Sequence, residues 1–346
     1  MCYNVPMKKT SFTISIILIL CVLTLAAVWS YFWNTLDALD PSGTSASEVY
    51  ERHYVLIPDV EDSVLWQKIY ESAAQEAAAS NAYVEYLSQD TGSSYTMADY
   101  LRILIAAKVD GIILKPDGTE EVRNLMNEAV DNGIPVVTVL EDDSESQLIS
   151  YVGLNSYQLA DTYTEYALSL LGGKSGTIMI LLDAESVNPI QSLAASQLTR
   201  YIEEQKTDGQ EINVSLYYLE NTTDFDYDEG IRELIVSYSP LPDLLVSMDE
   251  LLTECAYQAL IDYNKVGNTS LIGFYYSDQI LEAIERGIIP VTLVVDTDEV
   301  GRYSIEALEE FHELGHASSY YSVTLSLITQ DNVADYLTAL EEEGTN

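Results

Sequence analysis

Short apolar runs alternate with amphipathic stretches along most of the chain. Residues 53–58 (HYVLIP) read as a strand, after which Trp66, Ile69, Tyr70, Ala73 and Ala77 recur at helical spacing. Tyr83–Leu87 predicts a second strand, and Met97, Leu101, Leu104 and Ile105 the next helix face. The run from Gly111 to Leu114, closed by Lys115-Pro116, predicts a buried strand. Val122, Leu125, Met126 and Ala129 then stripe a helix, and Ile134–Leu140 follows as a strand. Alternation of this kind predicts a parallel sheet with helices on both faces.

The pattern then starts again. Thr177–Leu182, Val214–Leu219, Leu244–Met248 and Leu271–Phe274 predict strands, separated by helices at about 188–206, 228–237 and 249–264. Helix 277–286 and strand Pro290–Val295 complete this block. The last fifty residues add a helix at 300–313, one strand at 321–328 and a closing helix at 330–342. Two similar blocks predict two α/β lobes, and the surplus at the end predicts that the chain crosses back through a multi-strand hinge. The expected lobes are 53–155 with about 297–320, and 156–296 with about 321–346.

Ahead of these blocks, Thr10–Trp33 is uncharged over 24 residues, TSFTISIILILCVLTLAAVWSYFW. As a helix it would span about 36 Å, enough for a hydrocarbon core of about 30 Å. Lys8 and Lys9 precede it, while Asp37 and Asp40 follow, so residues 1–9 are expected in the cytoplasm and the bulk of the chain outside. Trp29, Tyr31, Phe32 and Trp33 would form an aromatic belt at the outer interface. The alternative is a cleaved signal peptide, but its apolar core would be long and its only small-residue site, Thr24-Leu25-Ala26, is weak. The expectation is a signal anchor at 10–33, a tether at 34–52, and a single-pass protein of the cell membrane.

Charge narrows the partners. Acidic residues outnumber basic ones 56 to 15, a formal net charge of −41. Such a surface repels nucleic acid, so none is expected as a partner. The three cysteines, Cys2, Cys21 and Cys255, are too dispersed to predict an intrachain disulfide. His312 and His316 sit four apart in His312-Glu313-Leu314-Gly315-His316, but Gly315 between them is expected to end the helix, so no metal site is assigned. The chain carries no nucleophile elbow, phosphate-binding loop or placed Ser-His couple. Carboxylate pairs are too common in so acidic a chain to signal acid–base catalysis. No catalytic residue and no cofactor are assigned, and the chain is read as a non-enzyme.

In open parallel sheets, ligands bind beyond the carboxyl ends of the strands. Two facing lobes would make a cleft there, from loops Asp59–Trp66, Pro116–Thr119, Leu140–Ser144, Asp183–Gln191, Met248–Leu251 and Tyr275–Ser277. Asp249 opens a predicted helix and is expected to cap it. Cys255 shares a helix face with Leu252, Ala256 and Ala259, and is expected to be buried.

Six segments, in order, resemble the type I periplasmic binding proteins, the ribose-binding class that shares its core with lac-repressor-type regulators. They are VDGIILKPDG (109–118), NGIPVVTV (132–139), YVGLNSYQLA (151–160), SMDELLTECAYQAL (247–260), LIGFYYSDQILEAIERG (271–287) and VTLSLITQDNVADYL (323–337). The resemblance runs from about His53 to the end. It implies two doubly wound lobes on a multi-strand hinge, which close on a small ligand, commonly a monosaccharide, and either feed an ABC permease or report to a histidine kinase. A DNA-binding repressor is excluded, because an apolar segment stands where a helix-turn-helix should be.

The resemblance also places the site. Trp66 matches the stacking aromatic that follows the first strand. The Asp-Arg pair usual after the fourth strand matches Leu140 and Glu141. The arginine usual early in the second lobe is missing from NPIQSLAASQL (188–198). The usual Asn-Asp-Glu matches Met248-Asp249-Glu250, and the Asp of the usual Gly-Phe-Asp matches Tyr275. The expected ligand-binding set is Ser63, Trp66, Glu141, Asp142, Asn188, Asp249, Tyr275 and Tyr276. Such an aromatic and acidic pocket suits an uncharged sugar or polyol, or a cationic ligand, and suits a phosphorylated or carboxylated ligand poorly. Loss of the usual polar groups leaves a second expectation: a membrane-anchored sensor subunit that docks on a signalling kinase and has a degenerate pocket.

Overall fold

A computed structural model describes residues 50–58, 63–87, 95–143, 145–183, 189–219 and 224–343. The anchor expected at 10–33 lies outside them. Among the described residues no helix is long and apolar enough to cross a membrane.

Two six-stranded sheets carry the fold. In the first lobe the strands are β1 (Arg52–Ile57), β2 (Ala82–Tyr86), β3 (Gly111–Leu114), β4 (Val136–Val139), β5 (Ser150–Gly153) and β11 (Tyr320–Ser322). Their order is β11-β5-β4-β3-β1-β2, parallel throughout. Helices α1 (Val64–Ala79), α2 (Met97–Ala107) and α3 (Glu120–Asp131) connect them. The second lobe repeats the plan with β6 (Gly176–Asp183), β7 (Ile212–Leu219), β8 (Leu244–Ser247), β9 (Ser270–Phe274), β10 (Val291–Val295) and β12 (Leu325–Thr329). Its order is β12-β10-β9-β8-β6-β7, and only the edge strand β12 runs antiparallel. Its helices are α4 (Ser156–Leu171), α5 (Pro189–Gln205), α6 (Asp224–Ser237), α7 (Glu250–Asp262) and α8 (Asp278–Glu285), with α9 (Thr297–Leu314) and α10 (Val333–Glu343) completing the chain.

The central strands are buried along their whole length, as β3, β4, β8 and β10 show. Strands covered on both faces need continuous apolar sequence, and GIIL, VVTV, LLVS and VTLVV supply it. Helix starts follow local chemistry: Ser63, Thr96, Thr119, Asn155, Asp249 and Asp296 each accept a hydrogen bond from a backbone N–H of the first turn. Gly315 caps α9 in the left-handed region, ending it as the sequence predicts. Cys255 is buried, as its helix face predicts.

The chain passes between the sheets after β5, after β10 and after β11. The single strand predicted at 321–328 is therefore two strands in different sheets. Val323 and Thr324 separate them: the Val323 N–H donates to Gly153 O at 3.1 Å, and Thr324 O accepts from Asp296 N at 2.9 Å. Two residues thus tie the third crossing to the first two, which defines the hinge. Helix α9 returns to the first lobe and packs along α1, where Ser72 Oγ donates to Asp298 O at 2.7 Å. Gly301 makes this close approach possible, since a Cβ there would lie 2.5 Å from Ile69 O and 2.6 Å from Ala73 N.

Candidate functional site

The carboxyl ends of both sheets face each other across a cleft. From the first lobe it is lined by Leu65 and Trp66 after β1, Lys115 after β3, Leu140 and Glu141 after β4, and Leu154 after β5. From α4 and the second lobe come Leu159, Gln191 after β6, Met248, Asp249, Glu250 and Leu251 after β8, and Phe274 at the end of β9. A cavity of about 50 Å³ remains among them. A water needs roughly 10–15 Å³ on such a measure and ligand pockets run to about 300 Å³ or more, so this cleft is closed on its own side chains.

Among the described residues, polar contacts span it at two places. Ser63 Oγ, which caps α1, donates to Glu250 Oε2 at 2.6 Å on the opposite lobe. Lys115 Nζ lies 3.3 Å from Glu141 Oε1 in its own lobe and 3.8 Å from Asp249 Oδ2 in the other. Burial pushes the Glu250 carboxyl up to about 7; nearby Asp249 and Glu254 add to the rise, while the Ser63 hydroxyl and Lys115 oppose it. Gln191 Nε2 donates to Met248 O at 3.1 Å, which fixes the amide beside β8.

Of the residues expected in the site, Trp66, Glu141 and Asp249 line the cavity, and Ser63 reaches it through Glu250. Trp66 is 2% exposed and belongs equally to the first-lobe core. Asp249 caps α7 through Leu252 N at 3.1 Å. The acidic run divides its roles: Glu141 faces the cavity and is 4% exposed, while Asp143 pairs with Arg123 Nε at 2.8 and 2.9 Å to pin the loop. Asp142 does not line the cavity, and burial, followed by the charge of Asp143, raises its pKa.

Tyr275 and Tyr276 stand behind the cavity rather than in it. Tyr275 adopts φ 60°, directs its hydroxyl to Thr297 at the hinge, and stacks on Tyr276 at 4.7 Å. The Tyr276 ring in turn meets the edge of Tyr336 at 5.6 Å. Asn188 lies outside the described residues.

Leu140, after β4, has φ 62°, the same left-handed geometry that Tyr275 has after β9. Each N–H donates to the next strand of its sheet, Leu140 to Val152 O and Tyr275 to Leu293 O. The two strained residues are therefore equivalent turns in the two lobes. They occupy the positions where the resemblance expects acids, and both are apolar or aromatic here.

A family model described as periplasmic binding protein domain matches residues 54–313. The chain belongs to the periplasmic binding protein family. It is thus a binding protein rather than an enzyme. A Rhizobium meliloti relative named "Putative rhizopine-binding protein" is 23% identical over 240 residues, 67% of this chain and 75% of that one. Among solved structures, GanP, a glucose-galactose binding protein from Geobacillus stearothermophilus, is 21% identical with a TM-score of 0.69, covering 81% of this chain and 98% of its own. The XylFII–LytSN complex contains a chain 22% identical with a TM-score of 0.67, covering 81% and 98%. Likeness at this identity establishes the shared two-lobed fold. Among the described residues no cluster of His, Cys, Asp or Glu is arranged to hold a metal ion.

Lys115, Gln191 and Glu250 are polar cleft residues outside the expected ligand-binding set, although Glu250 matches the Glu of the usual Asn-Asp-Glu. Lys115 follows directly on a buried four-residue strand, so its place at the carboxyl end is the available signal.

Proposed function

We propose that this protein is an extracytoplasmic solute-binding protein whose lobes close on a sugar- or polyol-sized ligand beside a membrane partner. The observation that carries the reading is the pair of lobe-spanning contacts, Ser63–Glu250 and Lys115–Asp249, above a cavity walled by Trp66. Closure around a hinge buries a ligand between the lobes, and in this reading the ligand takes the place of these contacts. The glucose-galactose binding protein with the same fold supports the ligand class. In this reading residues 10–33 anchor the chain and hold it near a permease or a sensor.

A thermal-shift screen of the full chain against monosaccharides and polyols tests it. A ligand at a hundred times its dissociation constant should stabilise the protein by about 2.7 kcal/mol. The absence of any shift across the panel would favour a second reading, a docking subunit for a sensor kinase. The specific observation behind that second reading is a cleft of only about 50 Å³ held shut by its own side chains. The XylFII–LytSN complex shows this fold assembled with another protein.

A further inference from the structure

The polar groups of the cleft do not balance in charge. Glu141, Asp249 and Glu250 bring three carboxyl groups to the cavity wall, and Lys115 is the only cation among the described lining residues. Its ammonium sits between carboxylates of opposite lobes, Glu141 and Asp249. Glu141 is 4% exposed, so its carboxyl is held out of water by the protein itself. Glu250 is raised chiefly by burial, and the charges of Asp249 and Glu254 add to the rise.

A neutral solute that closes the lobes would exclude water from these carboxylates without supplying a counter-charge. Buried charges are tolerated when paired and hydrogen-bonded. An anionic solute would bring further negative charge to a wall that already holds Glu141 and Asp249. A ligand with a protonated amine brings positive charge to this acidic wall, and its remaining hydroxyls can meet the Gln191 amide and the Ser63 hydroxyl. The ring of Trp66 offers a face to either the ammonium or the C–H surface of the ligand.

We infer that the cleft selects a polyol or sugar that carries a protonated amine, with Lys115 filling the amine's place when the ligand is absent. This inference rests on the solute-binding reading and names its ligand class. The ammonium of Lys115 would swing aside on binding and leave Glu141 and Asp249 to the ligand.

The test is calorimetric titration of the full chain at pH 6.5 with D-glucosamine, D-galactosamine and D-mannosamine. Each is compared with its parent hexose and its N-acetyl derivative. At least one amino sugar should bind about tenfold or more tighter than both of its neutral counterparts. Asp249→Asn should reduce that ratio, and because Asn caps a helix as well as Asp does, α7 should stay intact. Glu141→Gln should reduce the ratio independently. Equal or tighter binding of the neutral sugars would overturn the amine preference and leave solute binding standing. No binding by any of the nine compounds would overturn the amine preference, and the thermal-shift panel then decides solute binding itself: a shift with another class of ligand keeps it, and no shift overturns it too.

Discussion

Trp66 illustrates how one side chain can serve the core and the cleft together. It opens the apolar stripe of α1, is 2% exposed, and still forms part of the cavity wall. Trp66→Ala should therefore cost about 3–5 kcal/mol of stability, the usual range for removing a large buried aromatic, read as a lowered urea midpoint. A loss of ligand binding in that variant would be ambiguous, whereas Trp66→Phe keeps a ring face and reports on stacking. If Trp66→Ala left the midpoint unchanged, its assignment to the core would be wrong. The sequence leaves both roles open because the loop–helix junction and the helix stripe share this residue. Tyr275 misleads for a different reason. It matches a position where the resemblance expects a ligand-binding acid, but its φ of 60° carries the ring toward Thr297 and Tyr276. A left-handed turn at a non-glycine residue reverses the simple strand alternation from which facing is read. Lys115 escapes notice because a lone lysine after a buried strand looks like a strand end. Only the opposite lobe, which brings Asp249 to 3.8 Å, reveals its place in the cleft.

The helices that support the cleft depend on one close contact. α1 carries Ser63 and Trp66 at its start, and α9 holds α1 in position along Ile69, Ser72 and Ala73. Glycine inside a helix costs about 1 kcal/mol relative to alanine, so its presence at 301 needs a packing reason. The α1 backbone supplies it, lying 2.5 Å from where an alanine Cβ would sit. Gly301→Ala should destabilise the protein by about 1–3 kcal/mol despite the better helix propensity, because the clash is with backbone rather than a mobile side chain. Thermal unfolding reads this directly, and a raised melting temperature would show that the helices can part without cost. At this scale the sequence is informative wherever periodicity is long or strands are apolar throughout. It is weakest near the hinge. Pattern does not resolve β5 and α4, because SYVG is only four residues long and α4 interleaves Tyr and Thr with its apolar positions. β11 and β12 read as one strand because the crossing between them takes just Val323 and Thr324.

Closure of the whole molecule is coupled to protons through Glu250. Its carboxyl faces Asp249 and Glu254 on its own helix, Ser63 and Lys115 from the first lobe, and Tyr275 from behind the cavity. With the lobes closed, burial lifts it from the ordinary 4.5 to about 7. With the lobes apart, water would reach it and restore the ordinary value. The closed form therefore binds more protons between those two values, and linkage fixes the direction. Below about pH 4.5 Glu250 is protonated in both forms and contributes no pH dependence. As pH rises from there to about 7, the closed form loses ground, and above about 7 the loss is complete. Fluorescence transfer between dyes on the two lobes of the ligand-free protein should thus report more closure at pH 5.5 than at pH 8. Glu250→Gln mimics the protonated group, retains an acceptor for Ser63 Oγ, and should flatten that dependence at the closed end. Glu250→Ala removes the lobe-spanning acceptor and should flatten it at the open end. An unchanged wild-type signal between the two pH values would mean that Glu250 stays solvated alike in both forms, and the Ser63 contact would then be too weak to hold the lobes together. A protonated amine bound in the cleft would favour the carboxylate over the acid. Ligand binding should therefore release protons near pH 6, in the same range where closure without ligand takes them up.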